Sequence, residues 1–193
     1  LNLKTEQGGG GKRFSLQQML KGLPELDRQA KLADKVEAAT RSTFQKAIVQ
    51  LRNSVLLYQH LQISLVPPGT EDFYAQLDRL ETALPKMRET TPGVAPDLAH
   101  SSPDGKLILE LATSFATMEQ FGFLHPIPPA AGASPESWRT VGATWSGTLM
   151  SGKVDPAARA YAAMGRAWRD RQPAAFNAAV TAHQDNIDAH FPG

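Results

Sequence analysis

Two imidazoles on one helix, His183 and His190, are the residues here that could do the most consequential chemistry, since a histidine pair can ligate a metal or a haem iron. Their seven-residue separation spans two helical turns, roughly 10 Å at 1.5 Å per residue, which is too long for one ion. Both read instead as solvated histidines near a helix end, complementing its negative dipole, and His60 reads the same way. Ser101, His100 and Asp104 supply the residue types of a nucleophilic triad, but near neighbours in a Pro-rich loop do not face one another as nucleophile and base must. Gly8 to Gly11 followed by Lys12 resembles a phosphate loop only superficially, because no strand precedes it and the Gly-Lys-Ser/Thr ending is missing. There are no cysteines, which excludes thiolate zinc sites, a Cys nucleophile and haem attachment through Cys-x-x-Cys-His. The expectation is therefore a protein that is not an enzyme, with no catalytic residues, no metal and no cofactor of its own.

The residues best suited to contact a partner are aromatic: Trp138, Trp145, Tyr161 and Trp168. Trp138 and Trp145 lie two turns apart and are predicted to share a helix face. Aromatic anchors carry much of the binding energy at interfaces. They also serve as core, since each Trp buries about 150–250 Å². Both uses stay open on the sequence. Arg166, Arg169 and Arg171, offset by Asp170, read as a solvated helix face.

The elements that must position these residues are helices. Asp155-Pro156 opens one and Pro173 opens another, which closes at Phe191-Pro192-Gly193. Tyr161, Met164, Ala167 and Trp168, then Phe176, Val180 and Ile187, recur at helical spacing, so the C-terminus reads as an amphipathic helix hairpin. Upstream, Ser15 caps a short helix from Leu16 to Lys21, and Pro24 with Glu25 opens the next. A long helix is predicted from about Asp34 to Leu65, with Phe44, Ile48, Leu51, Val55 and Tyr58 as a stripe buried in a monomeric bundle. Val66-Pro67-Pro68-Gly69 stops it, and Thr70 caps a helix carrying Phe73, Leu77, Leu80 and Leu84. Pro85 is expected to bend or end that helix and to begin a loop over 85–105. Leu107 to Phe121, apolar over a wide arc, is the predicted central helix. His125 to Ala133 reads as extended. Ser134-Pro135-Glu136 then reads as the start of a helix through Trp138, Val141, Trp145 and Leu149, weakened by Gly142 and Gly147 and ended by Gly152.

No strand alternation persists. The fold class is all-α, an irregular bundle of about six or seven helices. Residues 1–13, with Gly8 to Gly11, form a flexible linker, and 14–193 form a single helical domain. Lys+Arg 20 against Asp+Glu 19 gives a formal charge of +1, which argues against a nucleic-acid partner. Leu107 to Leu124 is the best apolar run, but Glu110, Glu119 and Gln120 interrupt it, and a membrane span needs roughly 20 mainly apolar residues. Leu1 to Lys12 lacks the apolar segment of a signal peptide. The chain begins with Leu, and the expectation is a piece excised from a longer protein.

Two resemblances follow. Tyr161, Met164, Gly165 and Trp168 match the spacing of the first helix of a tetratricopeptide repeat, so the hairpin is TPR-like. Its second helix departs, with Gln172 or Pro173 for the turn Gly and Asn177 for the packing Ala. A second resemblance spans about two thirds of the chain. Tyr58 to Leu84, with Val66-Pro67-Pro68 and Glu71-Asp72-Phe73, and the tail Tyr161-Ala162-Ala163-Met164, Trp168 and Phe176 to Val180, are similar to the soluble extracytoplasmic region of bacterial cytochrome c assembly membrane proteins, the haem-export and haem-ligation permeases. This resemblance implies a non-catalytic domain on the periplasmic side of the membrane, assisting haem delivery or docking apocytochrome c or an assembly subunit. Haem would be handled by the membrane part of the parent, whose Trp-rich segment has no counterpart here. The alternative is a soluble, TPR-like scaffold for an ordinary protein ligand.

Overall fold

The computed structural model describes residues 19, 21–90, 102–130 and 132–191, without the side chains of 88–90 and 190. The expected arm 1–13 and most of the short helix from Leu16 lie outside them. Among the described residues there are seven α-helices: α1 (Leu23–Asp34), α2 (Thr43–Leu65), α3 (Phe73–Thr90), α4 (Pro103–Phe121), α5 (Trp145–Ser151), α6 (Pro156–Arg169) and α7 (Pro173–His190). A 3₁₀ turn, Gly142–Thr144, leads into α5. The all-α class is thus observed. No helix among the described residues is long and apolar enough to cross a membrane.

The chain divides into two compact units, one ending at Gln59 and the other beginning at His60. A single domain was expected from residue 14 onward. The physical basis of the division is that the main apolar cluster draws its described residues from Ile63 onward.

In the first unit, Leu26, Ala30 and Ala33 form the buried line of α1. The expected helix from Asp34 is interrupted at residues 35–42, and α2 restarts through a capping box: Ser42 N–H donates to Gln45 Oε1 and Gln45 N–H to Ser42 Oγ. The buried stripe expected on α2 is corrected. Only Val55 of that stripe is buried, while Phe44 is 62% and Tyr58 52% exposed. The inward line is Gln45, Ile48, Arg52, Val55 and Gln59, which shares only Ile48 and Val55 with the expected stripe. Arg52 on this line donates to the Asp34 carboxylate at 2.7 Å, and Arg41, just before α2, pairs with the same carboxylate at 3.2 Å. On α1, Glu25 accepts from Arg28 and Gln29, which holds its carboxyl down at about 2.

The second unit is built around α4. Leu107, Leu111, Phe115 and Met118 are all buried, as the sequence predicts for a central helix. They meet Phe73, Leu77, Leu80 and Leu84 of α3, Ile127, Val141 and Val154 from the connections, and Ala157, Ala158 and Ala162 of α6. Each such large side chain, taken out of water, contributes roughly 1.5–3 kcal/mol. α3 starts at an Asp72 cap, whose Oδ1 accepts from Ala75 N–H at 3.0 Å, rather than at Thr70. It runs through Pro85 to Thr90, so Pro85 neither ends it nor opens a loop there. α4 begins at Pro103 under a Ser102 cap, four residues earlier than expected. The remainder of the predicted 85–105 loop, residues 91–101, lies outside the described residues.

Ser64 fastens the far end of α4. Its Oγ donates to the His60 carbonyl and accepts from the Phe123 and Leu124 N–H groups. The helix expected from Ser134 does not form before Gly142. Ile127 and Arg139 instead exchange two backbone hydrogen bonds in an isolated antiparallel bridge, and the Arg139 guanidinium donates to the Pro128 carbonyl. This pairing holds Arg139 in a bridge, and the chain turns helical only at Val141 (φ −59, ψ −38), where the 3₁₀ turn is capped, so the local start signal is overridden.

Candidate functional site

The hairpin of α6 and α7 is laid down by local signals. Asp155 Oδ1 accepts from Ala157 N–H at 2.9 Å and Pro156 occupies the first turn, so the start of α6 is doubly specified. Its end is a Schellman motif: Gln172 N–H donates to the Ala167 carbonyl and Arg171 N–H to the Trp168 carbonyl. Arg171 sits at φ 53, the left-handed position that normally selects glycine. Pro173 then opens α7. The helices run antiparallel in a defined register. The Tyr161 ring edge meets His183 at 4.7 Å, and seven residues along each helix Trp168 meets Phe176 at 6.2 Å.

A second set of contacts ties α6 to α3. Arg159 pairs with Asp78 and Glu81, and Arg166 and Arg169 pair with Asp72. Arg169 also donates to the Glu71 carbonyl and to Asp170. The guanidinium groups of Arg159 and Arg166 lie 5.3 and 5.0 Å from the Tyr74 ring centroid. The Ala75 N–H, then Arg169 and Arg166, hold the Asp72 carboxyl below its ordinary value against the opposing effect of burial. Arg166 and Arg169 are thus cross-helix partners and not the freely solvated face expected. Arg171 makes no ion pair or side-chain hydrogen bond among the described residues.

The four aromatic candidates are not brought together. Trp145 is half-buried on Phe115, at 5.1 Å, in the core. Tyr161 is half-buried on α6, edge-on to His183 of α7. Trp138 stacks on Phe191 at 6.0 Å and 16°. It shares no helix face with Trp145, because Trp138 lies outside any helix, four residues before the 3₁₀ turn. Trp168 is 78% exposed and stands at the hairpin turn. There it walls a groove of about 520 Å³ with Phe176, Ala167 and Pro173, rimmed by Arg171, Gln172 and Asn177. That volume falls within the range of small-ligand and peptide-anchor sites, roughly 300–1,000 Å³. No family model, curated protein or solved structure matches the chain.

The sequence points to Trp168 as a contact residue, while Arg171 reads as solvated face and Gln172 and Asn177 only as departures from the repeat pattern. Phe176 was legible as a hairpin residue, while the groove exists only once the turn brings it opposite Trp168. Among the described residues no group of three or more His, Asp or Glu is placed to hold a metal ion. His100 and Ser101 lie outside the described residues. His183 corrects an expectation. It is buried within α7 rather than solvated at its end, and its Nδ1 has no hydrogen-bond partner. Burial pushes the imidazole below its ordinary 6.5, with Asp155 opposing.

That shift gives a pH dependence. The unfolded chain takes up a proton at His183 that the folded chain resists, so this contribution to stability is present above pH 6.5 and is lost as pH falls below it. We expect the melting temperature to drop between about pH 7.5 and 5.5, and His183→Phe to flatten the slope. Equal slopes in the two proteins would exclude the assignment.

Proposed function

We propose that this chain is a non-catalytic docking domain that holds a protein partner at the turn of its C-terminal hairpin. The observation that carries this reading is the outward-facing Trp168, paired with Phe176 across an open groove. A tryptophan this exposed is unfavourable in water, and aromatic side chains concentrate binding energy at protein interfaces. The residues flanking the groove offer amides and a guanidinium for orientation, and no nucleophile paired with a base.

The similarity of Tyr58 to Leu84 and of the hairpin to cytochrome c assembly membrane proteins supports a finer proposal. In it the domain sits on the periplasmic side of a bacterial membrane protein and docks apocytochrome c or an assembly subunit, while haem is handled by the parent's membrane part. The alternative, a TPR-like scaffold for another protein ligand, uses the same groove.

Titrating the full chain with haem and with a Cys-x-x-Cys-His peptide separates the two. Binding of the peptide that Trp168→Ala abolishes supports the cytochrome setting. Binding of neither ligand removes that setting. A pull-down partner lost on Trp168→Ala then supports the scaffold, and partners unchanged by that substitution reject docking at the hairpin altogether.

A further inference from the structure

We infer that the hairpin groove takes an acidic peptide segment of the partner, in which a carboxylate side chain lies beside an apolar or aromatic residue. The inference rests on the docking reading above and specifies the chemistry of its ligand.

Charge complementarity carries it. The groove is lined by one cation, Arg171, and by no anion. The neighbouring arginines of α6 are already engaged: Arg159 by Asp78 and Glu81, Arg166 by Asp72, and Arg169 by Asp72 and Asp170. Asp170, the nearest acid in sequence, is thereby occupied by Arg169 at 2.9 Å. Arg171 is left as an uncompensated positive charge beside an aromatic wall.

The start of α7 adds to this charge. Gln172 provides no side-chain cap, Pro173 has no N–H, and the first-turn N–H groups that follow have no intrahelical acceptor. They contribute the positive end of the helix dipole on the same side of the turn. The backbone gives a third reason. Arg171 occupies φ 53, where a glycine is less strained, so the structure keeps a guanidinium where the turn alone favours no side chain. A guanidinium of this kind binds carboxylate with two parallel N–H···O bonds, while Trp168 and Phe176 cover the apolar neighbour.

The test uses the full chain and three dye-labelled heptapeptides read by fluorescence anisotropy. One alternates Glu with Trp and Leu, the second has Lys for Glu, and the third has Ala for Trp and Leu. The first should bind tightest, with an affinity that falls as salt rises. Arg171→Gly should weaken it about tenfold or more and flatten the salt dependence. Because glycine suits this backbone, that variant should melt no lower than the parent, so lost binding reports lost charge. Arg171→Glu should reverse the preference toward the Lys peptide. The inference is overturned if no peptide binds, if the Lys peptide binds the unaltered chain as tightly as the Glu peptide, or if Arg171→Gly leaves the Glu peptide's affinity unchanged. The docking reading outlives these results if Trp168→Ala still abolishes capture of a partner, and it fails separately if that substitution does nothing.

Discussion

Gly142→Ala is expected to destabilise the second unit by about 1–3 kcal/mol, and Gly142→Val by more. Gly142 is buried at the start of the 3₁₀ turn, where the turn is pressed against α4. A Cβ built there would collide with the Phe115 carbonyl oxygen and the Glu119 nitrogen, and would lie 2.7 Å from Glu119 Cα. All three are backbone atoms of one helix, so no side chain can rotate away to make room. The turn has to withdraw, and Val141 and Trp145 withdraw with it from the core cluster. At about 2–4 °C per kcal/mol for a chain of this size, the melting temperature of the Ala variant should fall visibly in a thermal scan. An unchanged midpoint would show that the close approach is not needed.

Phe115→Ala should have the largest effect of any single truncation, about 3–5 kcal/mol. The ring is fully buried at the centre of α4 and is gripped from both sides, by Phe73 at 5.9 Å and Trp145 at 5.1 Å. Its removal leaves a cavity between α3 and the 3₁₀ turn that neither helix can close without giving up other contacts. Against a typical total of about 5–15 kcal/mol, this is a large share of the stability. In urea titration the midpoint should drop sharply with the slope unchanged. Phe115→Leu, which retains most of the volume, should cost far less. Equal losses for Ala and Leu would point to a role other than packing.

What the sequence disclosed and what it concealed divide along one line. Local signals were readable: Pro24 with Glu25 on α1, the Leu107, Leu111, Phe115, Met118 line of α4, Asp155-Pro156 on α6 and Pro173 on α7. Where tertiary contacts decide, the reading failed. Ser134-Pro135-Glu136 has the chemistry of a helix start, yet the Ile127–Arg139 bridge prevails. The apolar stripe of α2 looked like the buried one, yet the inward line keeps only its Ile48 and Val55 and includes Arg52, which pairs with Asp34 across from α1. Pro85 looked like a stop, yet α3 runs through it to Thr90, its core line of Leu77, Leu80 and Leu84 and its Asp78 and Glu81 contacts to Arg159 all lying before the proline. At the site, Trp168 was found because aromatic residues are conspicuous at helical spacing. Arg171 reads from the sequence as part of a solvated helix face, because nothing local shows that the helix ends at Arg169 and that Arg171 takes the left-handed position beside the groove.

The register of the hairpin sets a rule for how its tip can evolve. Tyr161 to Trp168 and Phe176 to His183 are both intervals of seven, so the inner and outer ring pairs are phased two turns apart. One residue inserted between Tyr161 and Trp168 would swing the indole about 100° around the helix axis and off Phe176, while the inner pair stayed in place. A length change in one arm alone therefore parts the outer pair, whereas seven residues added to both arms, close to two turns, bring it back to nearly the same phase, like links added to a watch strap.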